Sequence, residues 1–318
     1  MSHIVIEPSK FRKIACRIVW GILFFPFPRM KFLFSRALMH VSLGHMIKVY
    51  YNYKFKQPKK FKYYLSMLMC IKDEAQYMQE WIEYYLLQGV EHFYIYNNNG
   101  TDNTLQVLKK YIDKGLITWI NYPGLAQQRR IYNDAIARFK NETQWLGLAD
   151  CDEFVVPLKS QTIVDWLKTV PKCSQVLIHW CVYGSSGHKK QTKGLVIERF
   201  TKHAKEPSKI VKAILNPRSV VYMNVHWHLV FGKTINEKGE LFYGWKDPEP
   251  TAEKIRVNHY IIKSYEEYID KKTRGDSNYT VNHYDDDWFH QYDINDVNEP
   301  HLMQPWIQKI KKRIAPYK

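Results

Sequence analysis

The residues with the clearest chemical potential are two aspartates, Asp150 and Asp152, which are separated by one residue. They follow the apolar run Trp145–Ala149, which has the length and composition of a buried strand. Two carboxylates at this spacing can reach the same side where a strand ends, and such pairs bind Mg²⁺ or Mn²⁺ together with substrate phosphates. The same spacing also occurs in solvated turns, so its meaning depends on the elements around it.

Those elements alternate between strand and helix patterns. Strand patterns cover four runs: Tyr63–Cys70, His92–Tyr96, Leu116–Tyr122 and Trp145–Ala149. Helical patterns cover the segments between them: Ala75–Gln88, a helix capped by Asp102, and Gln127–Phe139. This alternation predicts a parallel sheet covered by helices. In such sheets, ligands bind beyond the carboxyl ends of the strands.

Polar groups stand at three of these strand ends: Lys72–Glu74, Asn97–Asn99 and Asp150–Glu153. We therefore expect them to converge on one ligand site. The first strand is not followed by a GxGxxG motif, and the chain contains no GxxxxGK[ST] motif. Something other than a glycine-rich backbone cradle must then neutralise a phosphate, and a divalent cation held by acids would do so.

Several separated motifs resemble a known family. The stretches CIKDEAQYMQEWIEYYLLQGVEHFYIYNNNGTDNT and QQRRIYNDAIARFKNETQWLGLADCDEFVVP resemble the nucleotide-binding half of glycosyltransferase family 92 and related family 2-type enzymes. The likeness continues through WCVYGSSGH, IERF, SKIVKAILNPRSV, VHWH and NHYIIKSYEEYIDKKTRG, and it covers about Tyr63 to Trp306. It implies the GT-A fold, a Rossmann-like α/β architecture with a mostly parallel sheet flanked by helices, and a mixed α+β acceptor-side half.

The resemblance also implies roles for particular residues. Asp150 and Asp152 would coordinate a Mn²⁺ or Mg²⁺ ion that bridges the diphosphate of a nucleotide sugar, which makes Asp152 catalytic as well. Asp73 and Glu74 would lie beside the nucleobase and ribose. Asn97 stands where relatives often have an aspartate, so a contact from this position would use an amide.

Four further residues are candidates in the donor site. Arg130, on the helix before the metal motif, could reach the diphosphate, and the alternative is that it is exposed. Gly187 belongs to the turn Gly184–Gly187, which could approach the donor sugar closely. A third metal ligand in this fold is commonly a late histidine, and His226 and His259 are the candidates.

The general base is the role with the most competitors. Glu198, in the IERF motif, lies where these enzymes tend to keep acceptor-side groups, and it would take the proton of the acceptor hydroxyl. The alternative is a salt bridge to Arg199 or to a nearby lysine. Other acids compete for the role: Asp247, Glu249 and the Asp285–Asp287 run.

The positive charge of the chain is concentrated near its start. The formal net charge is +16, and residues 1–62 contain 13 Lys and Arg against one acid, whereas residues 63–318 contain 34 against 30. A uniformly basic domain that binds nucleic acid is therefore disfavoured, because its charge should spread over the folded surface. We expect three segments: a basic, apolar head at 1–62, a nucleotide-sugar-binding half at 63–183 and an acceptor-side half at 184–318.

The apolar part of the head, Ile14–Pro28, is too short to cross a bilayer, which takes about 20 residues. We expect residues 10–62 to lie on an anionic membrane surface, with Trp20, Phe24, Phe25 and Phe27 in the interface. The alternative is a basic helix packed on the domain. The five cysteines form no CxxC pair and fit a reducing compartment, so the predicted location is the cytoplasmic face of the membrane.

The sequence thus predicts a metal-dependent glycosyltransferase, and the resemblance implies that it inverts the anomeric centre. It would move a hexose or N-acetylhexosamine from a nucleotide sugar, such as a UDP-sugar, to a glycan or glycolipid, such as a lipid-linked or surface oligosaccharide. Two alternatives from other classes stay open: a metal-dependent phosphodiesterase or nuclease, and a non-enzymatic protein that binds anionic membranes or glycans.

Overall fold

Helical segments precede the sheet. The computed structural model of the protein describes residues 9–23, 34, 36–242, 247, 249–275 and 284–315. Helix α1 spans Lys10–Leu23 and helix α2 spans Leu43–Phe55. No helix in these described ranges is both long and apolar enough to span a bilayer. The side chains of Trp20, Phe24, Phe25 and Phe27, which the sequence assigns to the membrane interface, lie outside the described residues.

The alternation of strands and helices predicted from residue 63 onward is confirmed, with element ends shifted by no more than two residues. The elements are β1 (Tyr63–Ile71), α3 (Ala75–Leu87), β2 (His92–Asn97), α4 (Thr104–Asp113), β3 (Ile117–Asn121), α5 (Gln128–Phe139) and β4 (Thr143–Leu148). Helix α4 begins one residue later than a cap by Asp102 requires. Asp102 nevertheless accepts a hydrogen bond from the backbone nitrogen of Thr104 at 3.0 Å.

The rest of the chain adds shorter strands and helices. They are β5 (Glu153–Pro157), α6 (Ile163–Thr169), β6 (Gln175–Val182), α7 (Val196–Arg199), β7 (Lys202–His203), β8 (Val211–Leu215), β9 (Val220–Met223), β10 (His228–Val230), β11 (Thr234–Asn236), β12 (Ile255–His259), α8 (Tyr265–Arg274), α9 (Asp286–Tyr292), β13 (Val297–Asn298) and α10 (Gln304–Ile314).

One large sheet unites the two predicted halves. Its strand order is β3-β2-β1-β4-β8-β6-β12-β5, with β11 paired to β6. Strands β1 to β4 pair in parallel, whereas β8 runs antiparallel to both β4 and β6. Strands β8 and β12, from the acceptor-side half, therefore lie within the same sheet as β1 to β6. This is the mostly parallel α/β fold that the resemblance implied, and the predicted fold class is confirmed.

Helices cover the sheet on both sides, and its strands β5, β6, β8 and β12 are buried along their whole length, as is β1 from Leu65 onward. Alternate residues of β1 point to opposite faces, as the pleat of a strand requires. Leu65, Met67 and Met69 join the cluster that includes α3 and α10, whereas Leu68 and Cys70 join the cluster that includes α5. Burial on both faces explains why these strands read as continuous apolar runs.

Part of the predicted head packs on the body of the protein. Ala37, Met46 and Val49 form a third cluster with Tyr222 of β9 and Leu229 of β10. The Nε2 atom of His45 lies 3.2 Å from the carbonyl oxygen of Val221. In residues 36–49 the structure thus shows the alternative that the sequence left open, a basic helical segment packed on the domain.

Candidate active site

A cleft of about 420 Å³ opens at the carboxyl edge of the sheet, beyond the ends of β1 and β4. The turn after β4 contributes Asp150 and Asp152, and the segment after β1 contributes Lys72 and Glu74. Residues from distant parts of the chain complete its walls, and these include Gln128, Trp180, His226, His259, Lys271, Arg274, Tyr284 and Trp288. The predicted convergence of polar strand ends is therefore present for two of the three groups.

Hydrogen bonds to two buried residues hold the turn that carries the two aspartates in place. Its first carbonyl oxygen, that of Asp150, accepts hydrogen bonds from Nε1 of Trp81 and from the backbone nitrogen of Glu153, each at 3.0 Å. The backbone nitrogen of Asp150 donates to Oε2 of Glu153 at 2.9 Å. Because Trp81 and Glu153 are buried, the turn cannot shift without disturbing the core.

Asp150 faces a buried lysine. Nζ of Lys212, on β8, lies 2.6 Å from Oδ2 of Asp150 and 3.1 Å from Oε2 of Glu153. Burial alone would lower the pKa of Lys212, but the attraction of the two carboxylates outweighs it and holds that pKa well above its ordinary value. Nε2 of Gln128 donates to the other oxygen, Oδ1 of Asp150, at 3.3 Å.

Asp152 is buried among cations. Its Oδ2 atom accepts a hydrogen bond from Nζ of Lys271 at 2.9 Å, and Nζ of Lys263 lies 3.9 Å away. Its Oδ1 atom lies 3.5 Å from Nε2 of His259. Burial would raise the pKa of Asp152, but the attraction of Lys271 and His259 outweighs burial and holds that pKa well below its usual range. Asp152 is therefore ionised at neutral pH.

Glu74 lines the cleft through an ion pair with Arg274. Nη1 of Arg274 also donates to the carbonyl oxygen of Asp73, and Nζ of Lys72 donates to the carbonyl oxygen of Arg274 at 2.7 Å. Burial alone would lower the pKa of Arg274, but Glu74 outweighs it and raises that pKa. The end of α8 is thus joined to the end of β1, with the positive charges of Lys72 and Arg274 beside the cleft.

Both predicted histidines lie in the cleft wall, next to the ring of one tryptophan. The ring of Trp180 is centred 4.3 Å from the ring of His259 and 5.5 Å from that of His226. Burial and, to a smaller extent, the charge of Lys212 lower the pKa of His226 to about 4. His226 is therefore neutral at physiological pH, the protonation state that a metal ligand needs.

Asp73 and Asn97 shape a loop and do not line the cleft. Oδ1 of Asp73 accepts hydrogen bonds from the backbone nitrogens of Thr101 and Asp102. The side chain of Asn97 accepts from the backbone nitrogen of Gly100 at 3.0 Å and donates to Oδ1 of Asn121 at 3.2 Å. Their side chains therefore fix the loop after β2.

Three other predicted site residues lie outside the cleft lining. Arg130 is exposed, and its Nη1 atom is 3.5 Å from Oε1 of Gln127. Gly187 faces open space with a positive φ of 85°. Glu198 pairs with Lys311, which is the salt-bridge alternative left open by the sequence. The roles of these three residues remain predictions that the geometry does not favour.

The competing acids are also engaged or exposed. Oδ2 of Asp247 lies 3.3 Å from Nε2 of His179, and Asp285 caps α9 by accepting a hydrogen bond from the backbone nitrogen of Trp288. Glu249 is exposed. Among the described residues, the carboxylates that line the cleft are those of Glu74, Asp150 and Asp152.

Sequence reasoning did not single out Gln128, Lys212, Lys271 or Arg274. One signal was present: Lys271 and Arg274 are three residues apart in a helical segment, a spacing that places them on one face. Lys212 carried no such signal, because a lysine inside the strand VKAIL reads as a solvent-facing position.

The donor groups fit a divalent cation in their chemistry, since two carboxylates and an imidazole face one cleft. In the described part of the chain, however, no three Asp, Glu, His or Cys side chains converge closely enough to hold a metal ion as they stand. Ammonium groups stand beside both aspartates instead. A metal ion would have to share these carboxylates with Lys212 and Lys271, or displace them.

The fold and the cleft define an α/β protein with a polar cleft at the carboxyl edge of its sheet. The family model of glycosyltransferase family 92 matches residues 65–299. The chain therefore belongs to glycosyltransferase family 92, as its motifs indicated.

Its relatives are longer proteins. A glycosyltransferase family 92 protein of Oryza sativa subsp. japonica is 26% identical over 216 residues, which cover 65% of this chain and 35% of the relative. A galactan beta-1,4-galactosyltransferase of Arabidopsis thaliana is 26% identical, over 64% of this chain and 42% of the relative. A beta-1,4-galactosyltransferase of Caenorhabditis elegans is 24% identical, over 64% and 49%. The chain thus matches less than half of the length of each.

Among solved structures, the S. aureus TarS fragment 1–349 in complex with UDP is similar, with a TM-score of 0.34 and 14% identity. The similarity covers 48% of this chain and 47% of that one.

Proposed function

We propose that this protein transfers a hexose or N-acetylhexosamine from a nucleotide sugar, most simply a UDP-sugar, to a hydroxyl group of a glycan or glycolipid. The observation that carries the proposal is the placement of Asp150 and Asp152 in a cation-rich cleft at the carboxyl edge of the sheet, in a chain of family 92. The names of the two galactosyltransferase relatives support a hexose as the transferred group.

The proposed reaction is a single displacement with inversion. The acceptor oxygen forms a bond to the anomeric carbon, while the bond between that carbon and the diphosphate oxygen breaks. The bonding electrons leave with the nucleoside diphosphate, and a base takes the proton of the acceptor hydroxyl.

The cleft supplies positive charge where the diphosphate would gain negative charge. Lys271 and Arg274, one helical turn apart on α8, face it together with Lys72. Groups that are fixed before the reaction stabilise developing charge without a cost of reorganisation. A divalent cation bound by Asp150, Asp152 and His259, with His226 nearby, would act as a Lewis acid toward the departing diphosphate.

The remaining walls suit the nucleoside and the sugars. The rings of Tyr284 and Trp288 lie 4.9 Å apart at the cleft, and flat aromatic surfaces of this kind stack on bases and sugar rings. Glu74, beside Arg274 in the cleft wall, would contact the ribose or nucleobase, as the resemblance implies. Asp73 and Asn97 would act indirectly, by holding the loop after β2.

The acceptor and the place of action are part of the same proposal. A lipid-linked or surface oligosaccharide at the cytoplasmic face of the membrane would agree with the basic head of the chain. The proposed location can be wrong while the proposed transfer reaction is right, because the transfer chemistry does not depend on where the acceptor resides.

Thermal stability in the presence of UDP- and GDP-sugars, with and without Mn²⁺, tests donor binding. A ligand at about 100 times its Kd stabilises the folded state by about 2.7 kcal/mol. We expect a UDP-sugar to raise the Tm and Mn²⁺ to increase the effect. If no nucleotide sugar raised the Tm, the proposal would be wrong.

Release of UDP in the presence of an acceptor tests catalysis. We expect Asp150→Asn and Asp152→Asn to lower kcat/KM at least about 100-fold, because they remove charge that orders the cleft. Asp113→Asn, in an exposed ion pair with Lys109, is the control and should leave transfer unchanged. Glu198→Gln tests the predicted base: its position outside the cleft predicts activity within about twofold of wild type, whereas a base would cost about 100-fold or more.

A further inference from the structure

In the described part of the chain, the exposed large apolar side chains are concentrated in two helices. Nine of the thirteen that are exposed belong to α1 and α2. On α2, Leu43, Ile47, Tyr51 and Phe55 are between 48% and 70% exposed. Because they are spaced four residues apart, they form one stripe along the whole helix. An exposed apolar stripe of this length marks an interaction surface.

The opposite side of α2 fixes the direction in which the stripe faces. Met46 and Val49 are buried against β9 and β10. The hydroxyl groups of Tyr53 and Ser174 lie 2.9 Å apart, which ties the end of the helix to the segment before β6. The helix therefore cannot turn its stripe inward without losing these contacts.

A groove runs beside the stripe, between α2 and the body of the protein. It has a volume of about 1010 Å³, and Leu43, Ile47 and Tyr50 line it together with Phe231. Pockets for small ligands have volumes of about 300–1,000 Å³, so this groove is large enough for an apolar chain. Its lining is mostly apolar, as an acyl chain requires.

Lysines surround this apolar surface. Lys54, Lys172 and Lys233 line the groove, and the described residues that line it include no acid. Residues 9–23 and 36–62 contain 11 Lys and Arg and no Asp or Glu. None of the three groove lysines forms an ion pair with an acid in the part of the chain that the structure describes. The surface therefore combines apolar groups with positive charge that has no acidic counterpart nearby.

The groove lies at the opposite end of the sheet from the cleft. Ser174, immediately before β6, lines the groove, whereas Trp180, near the end of β6, lines the cleft. Six residues of strand separate them, or about 20 Å at 3.3 Å per residue. An occupant of the groove would leave the cleft open, so this surface is a second site and not a part of the first.

We propose that the face formed by α2 and the groove binds the surface of a bilayer that contains acidic phospholipids. Apolar residues of the stripe would enter the interface, an acyl chain would occupy the groove, and the lysines would contact the acidic head groups. A second copy of the chain fits this face poorly, because it would bring two acid-free basic surfaces together. This inference does not depend on the transfer chemistry.

Sedimentation of the full-length protein with vesicles tests the proposal. The vesicles are phosphatidylcholine alone, or phosphatidylcholine with phosphatidylglycerol as about a third of the lipid. We expect binding to the acidic vesicles at least about tenfold stronger than to the neutral ones, and weakened by salt. Equal binding to both kinds, or binding to neither, would overturn the proposal.

Variants locate the surface. Ile47→Glu combined with Phe55→Glu should lower binding to acidic vesicles at least about tenfold. Leu105→Glu, at an exposed leucine on α4, is the matched control and should bind as the wild type does. Changing Lys54, Lys172 and Lys233 to glutamine should lower binding about 100-fold, since each charge near such a surface counts for about fivefold.

Two further measurements separate the alternatives. Equal losses in the α2 variant and the Leu105 control would show that this face is not the binding surface. A wild-type dimer in sedimentation velocity without lipid that becomes monomeric on Ile47→Glu would assign the stripe to a second copy instead. The Tm increase caused by a UDP-sugar should be the same in every variant that folds, so failure here is distinguishable from failure of the proposed transfer function.

Discussion

At the scale of single residues, the main feature behind the cleft wall is the buried lysine that pairs with Asp150. Lys212 is 3% exposed, and its ammonium group pairs with two carboxylates, those of Asp150 and Glu153. Burial raises the pKa of Glu153 to about 7 even though the attraction of Lys212 opposes this shift, so Lys212 helps this carboxyl to keep its charge. Lys212 is therefore a positioning residue that holds the turn carrying the two aspartates.

Replacing this lysine should destabilise the protein. We expect Lys212→Met to lower the free energy of unfolding by about 3–5 kcal/mol, because a buried acid then lacks its partner. Urea denaturation followed by circular dichroism measures the change. Lys109→Met removes a lysine from an exposed pair with Asp113 and should change stability by less than about 1 kcal/mol. Equal effects of the two substitutions would contradict the role assigned to Lys212.

At the scale of elements, helix α8 shows how local sequence fixes the cations of the cleft. Ser264 and Glu267 form a capping box that starts the helix. Glu267 also forms an ion pair with Arg199 at 2.7 Å, which anchors the same turn to α7. The start of α8 is therefore fixed, and Lys271 and Arg274 reach the cleft from its last turns.

The turn after β6 is a second element with a defined role. The sequence assigned Gly184–Gly187 to a close approach to the donor sugar. The structure shows a close approach of a different kind: a Cβ atom at Gly184 would lie 2.4 Å from the carbonyl oxygen of Ile294. The backbone nitrogens of Ser185 and Ser186 donate to Asp293 and Asn295. The turn is thus bound to the segment after α9.

Gly184→Ala should therefore cost stability. We expect the free energy of unfolding to fall by about 1–3 kcal/mol, because the backbone oxygen of Ile294 must move to accommodate a methyl group. Gly44→Ala is the contrasting substitution: this glycine is in α2, and its nearest neighbour would be 4.0 Å away. It should stabilise the protein by about 0.5–1 kcal/mol. A loss of stability confined to Gly44→Ala would show that these contacts are misassigned.

At the scale of the whole molecule, buried histidines couple folding to pH. His228 is 4% exposed, and its Nδ1 atom has no hydrogen-bond partner among the described residues. Burial lowers the pKa of His228 to about 3, with a further contribution from Lys212. The unfolded chain binds this proton near pH 6.5 and the folded chain does not. The stabilising contribution is therefore complete above pH 6.5 and is lost as the pH falls toward about 3.

The difference between the pKa values of His228 in the folded and unfolded chain predicts part of the loss of stability at acidic pH. Between pH 7 and pH 5, His228 alone should lower the free energy of unfolding by about 2 kcal/mol. In His228→Gln this part of the pH dependence should be absent, whatever the stability of the variant at pH 7. Urea denaturation of both proteins at the two pH values gives the comparison. The same slope in both would mean that the pKa of His228 is the same in the folded and in the unfolded chain.

Local sequence by itself determined the alternation of β1 to β4 with α3 to α5, because the apolar periodicities of strands and helices depend only on near neighbours. It also placed Asp150, Asp152 and Glu74 at the functional edge, since a residue that follows a parallel strand must lie at the carboxyl end of the sheet. The concentration of positive charge before residue 63 is likewise a property of the sequence alone.

Only the tertiary structure decided which side chains meet. Lys212 and Lys271 reach the aspartates from 62 and 119 residues away along the chain, and no local pattern encodes such a contact. Asp73 and Asn97 stand at the predicted strand ends, yet backbone groups of one loop bind their side chains. A strand end fixes where a residue lies. The direction and partners of its side chain depend on what the rest of the chain packs against it.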